Sequence, residues 1–385
     1  MFLTKLLFRN AFRHKLRTTL TILGISIAIL AFGLLRTVVS AWYSGVEASS
    51  ASRLITRNAI SLVFLLPSSY RDKIRQIEGV KTVSWGNWFG GIYITEKNFF
   101  PNFAVDPTTY LDLYPEYLLT TEERKAFIHD RKACVVGQLT AKKYGWKQGD
   151  TVTLKGTIYT GNWDLTMRGV YRGRDNTIDE TQFLFHWSYL NETIRKLMPL
   201  MADQVGFYMI EVKRPDLSAD VALTVDKTFK NSLAETLTET EKAFNQGFIA
   251  MSEAIVMAIQ MVSFVIIIII MVVVANTMAM TTRERIGDYA IMKTMGFGAK
   301  DIAILIFGEA LVISLIGCAV GMILTFPAAK AFGHNLATFF PVFNVSAKTL
   351  YLDVAAAVVI ACVAAVIPTR SAVRIRIADG LRRIG

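Results

Sequence analysis

The sequence predicts an α-helical membrane protein with four transmembrane helices and a large α+β domain inserted between the first and the second. Three observations carry this. The chain has 385 residues, 52% of them hydrophobic, and a mean hydropathy of +0.38, above the usual range of soluble domains. Four stretches, 18–42, 248–277, 302–332 and 350–369, supply the roughly 20 mostly apolar residues that a spanning helix needs. The residues between the first two of them are rich in Lys, Asp, Glu, Trp and Tyr, an ordinary soluble composition.

Taken in order, the chain opens on a basic segment, 1–17. Lys5, Arg9, Arg13 and Arg17 recur every four residues, with Leu3, Leu7 and Ala11 roughly opposite, which predicts a helix lying in the inner interface. The apolar stretch that follows, 18–42, is too long for the core of a cleavable signal peptide and has no small-residue cleavage motif close behind it. Residues 43–247 form the inserted domain. In it "AISLVFLLP" (59–67) reads as a strand, "SSYRDKIRQIEGV" as a helix capped by Ser68 or Ser69, and "KTVSWGNWFGGIYI" as a returning strand. "ACVVGQLTAKKYGWKQGDTVTLKG" (133–156) suggests strand, short helix, turn and strand. Residues 204–213 read as a strand and 218–244 as one long helix, so a mixed domain in two parts is expected. The second span, 248–277, contains Ile266 to Ile270, which read as lipid-facing or packed bulk. A polar connector (278–301), the third span (302–332), a short loop (333–349), the fourth span (350–369) and a basic tail (370–385) complete the chain.

Orientation follows from the basic residues. Residues 1–17 carry +5, 281–300 carry +2 and 370–385 carry +4, which together make up the +11 of the whole chain. Both termini and the connector are therefore expected in the cytoplasm, and the inserted domain and the 333–349 loop outside. The positive charge borders the membrane, where anionic lipid attracts it, so the basic pI does not point to nucleic acid. The three cysteines, Cys134, Cys318 and Cys362, read as free buried thiols, since one alone lies in the oxidising compartment.

No phosphate-cradling G-x-x-x-x-G-K-[ST] loop, H-E-x-x-H pair or G-x-S-x-G elbow occurs, and the four histidines are far apart. Asp175, Asp179 and Glu180 are acids of an exposed polar loop, a simpler reading than a catalytic pair. The expectation is a non-catalytic chain without cofactor or metal. Glu309, inside the third span, reads as a packing contact near the cytoplasmic end rather than as part of a proton relay. Gly24 and Ala28 in the first span, and Gly317 and Gly321 in the third, are small-xxx-small faces suited to close helix contact.

The connector is the unusual feature. "RERIGDYAIMKTMGFGAKD" (283–301) carries Arg283, Glu284, Arg285, Asp288 and Lys293, then Gly296 and Gly298, far more than a link between spans requires. The stretch 276–321 closely resembles the signature of FtsX-like permeases, the group of ATP-binding-cassette (ABC) transporter subunits that includes MacB, LolC/LolE and DevC. The matching positions are Asn276, Glu284, Arg285, Asp288, Tyr289, Lys293, Gly296 and Glu309; Asp288 stands where Glu is usual and Ala290 where Gly is frequent. "RNAFRHKLRTTLTILGISIAI" (9–29) and "IPTRSAVRIRIADGLR" (367–382) resemble the family's approach to its first span and its closing tail, and "VVGQLTAKKYGWKQGDTVTL" (135–154) a segment of MacB-type periplasmic domains.

The resemblance implies a bacterial inner-membrane permease of mechanotransmission type. A cytoplasmic ABC ATPase dimer, holding the ATP and Mg²⁺, would grip 283–297 as a coupling helix through Arg283, Glu284, Arg285, Ile286, Asp288, Tyr289, Ile291, Met292, Lys293 and Gly296. A second permease copy, more readily identical than different, would pack across spans one and two, with a periplasmic adaptor as an optional partner. The cargo class it implies is a lipid, lipoprotein, peptide or hydrophobic toxin. The competing expectation is an FtsX-like regulatory subunit that activates a periplasmic cell-wall hydrolase without transport.

Overall fold

The computed structural model describes residues 12–336, 340 and 342–375. Most of the basic stripe of 1–17, including Lys5 and Arg9, lies outside these, as do residues 376–385 of the tail. The chain divides into two compact units, a helical one and an α/β one formed by Ala41–Ser252.

Four helices of the described chain are long and apolar enough to cross a membrane: Lys15–Glu47, Glu253–Glu284, Ala299–Leu336 and Ala347–Val373, spans one to four. Their shared core is aliphatic and alanine-rich: Ile25 and Ile29 of span one, Val274 and Met278 of span two, Ile306, Ala310 and Ile313 of span three, and Ala357, Ala361 and Ala364 of span four. Spans one and three meet closely because two glycines let them. A Cβ on Gly317 would stand 2.7 Å from Ile25, and one on Gly321 2.8 Å from Ile29. Ser26 Oγ donates to the Gly317 carbonyl across the same contact, 3.0 Å. Gly24 faces Ile270 of span two and Ala28 is buried. Gly24 and Ala28 thus pack inside the chain, and span one shows outward a stripe of Leu16, Leu20, Leu23 and Ile27.

The α/β unit is built on a ten-stranded sheet. Its strands are β1 (Arg53–Asn58), β3 (Val80–Trp88), β4 (Asn102–Val105), β5 (Tyr117–Leu118), β6 (Ala133–Gly137), β7 (Thr151–Gly156), β8 (Gly161–Gly173), β9 (Phe183–His186), β11 (Phe207–Val212) and β12 (Thr236–Thr240). The order is β12-β1-β11-β3-β4-β9-β6-β8-β5, with β7 on β8; β4–β9 and β6–β8 run parallel. The remaining strands, β2 (Leu66–Pro67) and β10 (Gln204–Val205), form a separate pair. Side chains alternate between faces as the pleat requires. Cys134 and Val136 enter one cluster with Phe89, Leu154, Phe183 and Phe185, whereas Ala133 and Val135 enter another with Val105, Phe127 and Tyr171. A third cluster packs Ile74 and Val221, Val225 and Phe229 of two helices onto Leu54, Val83, Tyr208 and Ile210 of the sheet. The two parts therefore share one continuous sheet.

Two elements differ from the sequence reading. The strand expected at 59–67 lies earlier, at β1, where "RLITRN" pairs with β11 on one side and β12 on the other. Residues after it leave the sheet, and Ile60, Val63 and Phe64 are 81%, 83% and 54% exposed. Double-sided pairing, not apolar content, made the strand. The long helix expected over 218–244 is instead the helix Ser218–Thr228, the strand β12 and the helix Glu241–Met251. The β-branched threonines of "TLTET" suit a strand, and Thr238 hydrogen-bonds Thr56 across the pair, 2.9 Å. Cys134 and Cys318 are buried free thiols, but Cys362 is exposed on span four.

Candidate functional site

The polar connector folds as the end of span two, a break at Arg285 and a short helix, Ile286–Thr294. That helix closes with a Schellman turn: the Phe297 amide donates to Met292 O and the Gly296 amide to Lys293 O, both 3.1 Å. Gly296 has φ +95°, a left-handed conformation that glycine adopts without the Cβ clash other residues meet. The Gly298 amide then donates to Asp301 at 2.8 Å as span three begins.

Around this helix the charges pair with three other spans. Glu284 takes both Arg17 Nη atoms at 2.8 Å, and Asp288 takes Arg13 at 2.7 Å. Two bases four residues apart, just before and within the start of span one, thus meet two acids four residues apart on either side of the break. Arg285 turns inward to Glu309 of span three at 2.7 Å, with both side chains 4% exposed. Its guanidinium also lies 5.4 Å above the Tyr289 ring. Lys293 Nζ donates to the carbonyls of Val373 and Ile375 at 2.8 Å, satisfying groups left open at the end of span four.

The residues expected to meet a partner therefore separate into two sets. Arg285 and Tyr289 are buried and belong to the core, and Ile286 and Met292 are half-buried. Glu284, Asp288 and Lys293 are engaged inside the chain. Among the exposed residues of the connector are Arg283, Ile291, Met295 and Phe297, the last two outside the expected set. Glu309 is an ion-pair partner rather than a packing contact. Arg13 and Arg17 were expected at the lipid interface; their match in spacing to Glu284 and Asp288 was the available signal.

A second polar cluster sits in the α/β unit. Arg53, at the start of β1, is 5% exposed and gives Nε to Glu241 at 2.8 Å, Nη2 to Glu116 at 2.6 Å and Nη1 to the Leu113 carbonyl at 2.8 Å. The Tyr114 ring lies 4.4 Å from its guanidinium carbon. Glu241 also accepts from the Ser50 amide at 2.9 Å and opens the helix that runs toward span two. The segments that leave span one and approach span two are so joined through one buried arginine. Beside this hub is a cleft of about 400 Å³ lined by Glu47, Ser50, Arg174, Asp175 and Thr177 among others. Its polar walls do not suit an acyl chain. The acids of the 174–182 loop close turns: Asp175 accepts from Thr177, Asp179 from Thr181, and Glu180 from the Gly173 amide.

Residues 260–377 match the FtsX-like permease C-terminal family. The chain is 24% identical over 341 residues to an uncharacterized ABC transporter permease of Methanocaldococcus jannaschii, covering 82% of this chain and 81% of that one. Among solved structures, the periplasmic region of MacB from Actinobacillus actinomycetemcomitans aligns at 10% identity and TM-score 0.39, over 53% of this chain and 95% of that one. The extracellular domain of the ABC-type transporter YknZ from Gram-positive bacteria aligns at 11% identity and TM-score 0.35, over 49% of this chain and 100% of that one.

Proposed function

From the premise that this chain carries an FtsX-like permease domain and is homologous to an ABC transporter permease, we propose that it is the permease subunit of an ATP-driven transporter of the MacB/LolCDE type. It transmits hydrolysis by a separate cytoplasmic ATPase to an α/β unit outside the membrane, which exports or extracts a lipid, lipoprotein, peptide or hydrophobic toxin. The observation that carries this reading is the linkage of the 283–301 connector to spans one, three and four by Glu284, Asp288, Arg285 and Lys293. A push on that connector reaches all of them. Arg283, Ile291, Met295 and Phe297 form its contact face, apolar anchors beside a charge, as protein interfaces favour.

The orientation rests on the basic residues beside the helix and at both termini. A second copy of the chain packs through the outward stripe Leu16, Leu20, Leu23 and Ile27, whose spacing is that of a helix seam. A cysteine at Asn162, labelled from outside sealed cells, should react, and one at the 64%-exposed Met295 should not. Co-purification tests the partner. Met295→Asp and Phe297→Asp together should lose the ATPase while the permease still inserts; retention of the ATPase by that variant would refute the contact face.

A further inference from the structure

Span four holds an acid that the coupling network does not use. Asp353 lies less than two turns into the helix Ala347–Val373, is fully buried, and has no hydrogen-bond partner among the described residues on either carboxyl oxygen. Its neighbours are small and their donors are spent. In span one, Gly33 comes so close that a Cβ there would stand 3.3 Å from Asp353 Oδ2 and 3.2 Å from Thr325. The Thr325 hydroxyl of span three donates to Gly321 O at 2.9 Å, and the Thr37 hydroxyl of span one to Gly33 O at 2.7 Å. Cys318 of span three directs its Sγ to the main-chain oxygen of Asp353, 3.6 Å, not to the carboxyl. Span two has no ionisable residue from 254 to 282. Lys330 of span three and Tyr351 of span four are exposed.

Span one carries a cation one helical turn from this contact. Arg36 of span one follows Gly33 by one helical turn, and its Nε is also buried without a partner among the described residues. Helical side chains lean toward the N-terminus of their helix, so Arg36 covers the turn that contains Gly33, against which Asp353 rests. An ionised carboxylate with neither hydrogen bond nor counter-ion is costly in such surroundings, and such a group keeps its proton instead. Its charged form becomes tolerable once a guanidinium is placed against it.

We propose that Asp353 is a proton-binding site of the membrane unit, with Arg36 as the counter-ion that replaces the proton. In the arrangement described here the side chain is a carboxylic acid. When span one moves against spans three and four, Arg36 closes on Asp353, the proton leaves to water, and a carboxylate–guanidinium pair remains. The charge of the site rises by none: one proton departs and one cation arrives. Occupancy by the proton and the position of span one are thereby linked.

Infrared spectroscopy of the full chain in lipid nanodiscs tests this. The difference between wild type and Asp353→Asn should contain the carbonyl stretch of a protonated acid at neutral pH, and the band should fade as pH rises. Arg36→Gln removes the counter-ion but keeps a polar side chain, and should move the midpoint of fading upward by about one unit or more, a tenfold change in proton affinity. Arg36→Lys should stay nearer wild type. The proposal is overturned if no protonated-acid band disappears in Asp353→Asn, or if the wild-type and Arg36→Gln titrations superimpose.

Discussion

The Arg53 hub of the α/β unit and the charge network around the 283–301 connector use the same chemistry at different depths. At the hub every charged partner is buried: Arg53, Glu116 and Glu241 have side chains 6%, 9% and 10% exposed. In the network one pair is buried, Arg285–Glu309, while Arg13–Asp288 is 56% and 44% exposed. A buried pair holds one geometry, because opening it strands a charge away from water. A half-exposed pair opens at little cost, since water replaces the partner. The hub is therefore a fixed joint, and the network is a fixed pivot with releasable arms. That is the division the proposed transmission requires: its rigid parts would carry the motion, and its wet parts would change partners.

Breaking the fixed joints should cost most. Arg53→Met leaves Glu116 and Glu241 buried without their cation and should destabilise the α/β unit by about 3–5 kcal/mol or more, read from denaturant unfolding of the full chain. Arg285→Met strands one acid, Glu309, and should cost somewhat less. The double variant Arg285→Met with Glu309→Leu should recover most of that stability, because an apolar pair of similar volume often replaces a buried ion pair without loss. ATP-coupled function should stay lost in it. Recovery of function would mean that the pair only packs.

Gly296→Val sharpens the comparison at the hinge. At φ +95° a β-branched residue should cost about 1–3 kcal/mol locally, with the spans still inserted. Hydrolysis should continue while transport falls. Smaller still is the effect of the wet arms. Glu284→Arg alone should reduce coupling a few fold, and adding Arg17→Glu should restore it, because the two side chains exchange roles across the same contact.

The smallest expected effect belongs to the α/β unit. His186 donates its Nε2–H to the Phe127 carbonyl, and its burial holds its pKa below the ordinary value. The unfolded chain therefore binds this proton more readily, so stability is complete above the unfolded pKa of about 6.5 and declines as pH falls below it. His186→Gln should flatten that part of the melting-temperature profile.

The sequence was most legible where a single physical demand dominated. Apolar length located the four spans, and the "QGD" turn between Ala133 and Gly156 located its strands and helix. It was least legible where tertiary pairing decided. β1 is a strand because two neighbours bond it, although its ends are Arg53 and Asn58, and β12 was hidden inside a helix-like composition. At the candidate site, the helix and its glycine stop were visible in 283–297, but the direction of each charge was not. Arg285 and Arg283 look alike in sequence; one is buried against Glu309 and the other faces outward. Asp353 was overlooked because it falls near the start of a span, where an acid reads as a boundary rather than as an interior residue.

The central claim is that ATP-driven motion passes from the 283–301 connector through span one to the α/β unit. It is tested most directly by spin labels at the exposed Ile60 of two permease copies, with Cys362 replaced, in nanodiscs that also contain the ATPase. Pulsed electron resonance then reads the distance between labels with and without ATP. The account predicts that ATP shifts this distance in the wild-type chain, that Arg17→Glu reduces the shift a few fold while the ATPase stays bound and active, and that adding Glu284→Arg restores it. A shift that persists unchanged in Arg17→Glu would contradict the account.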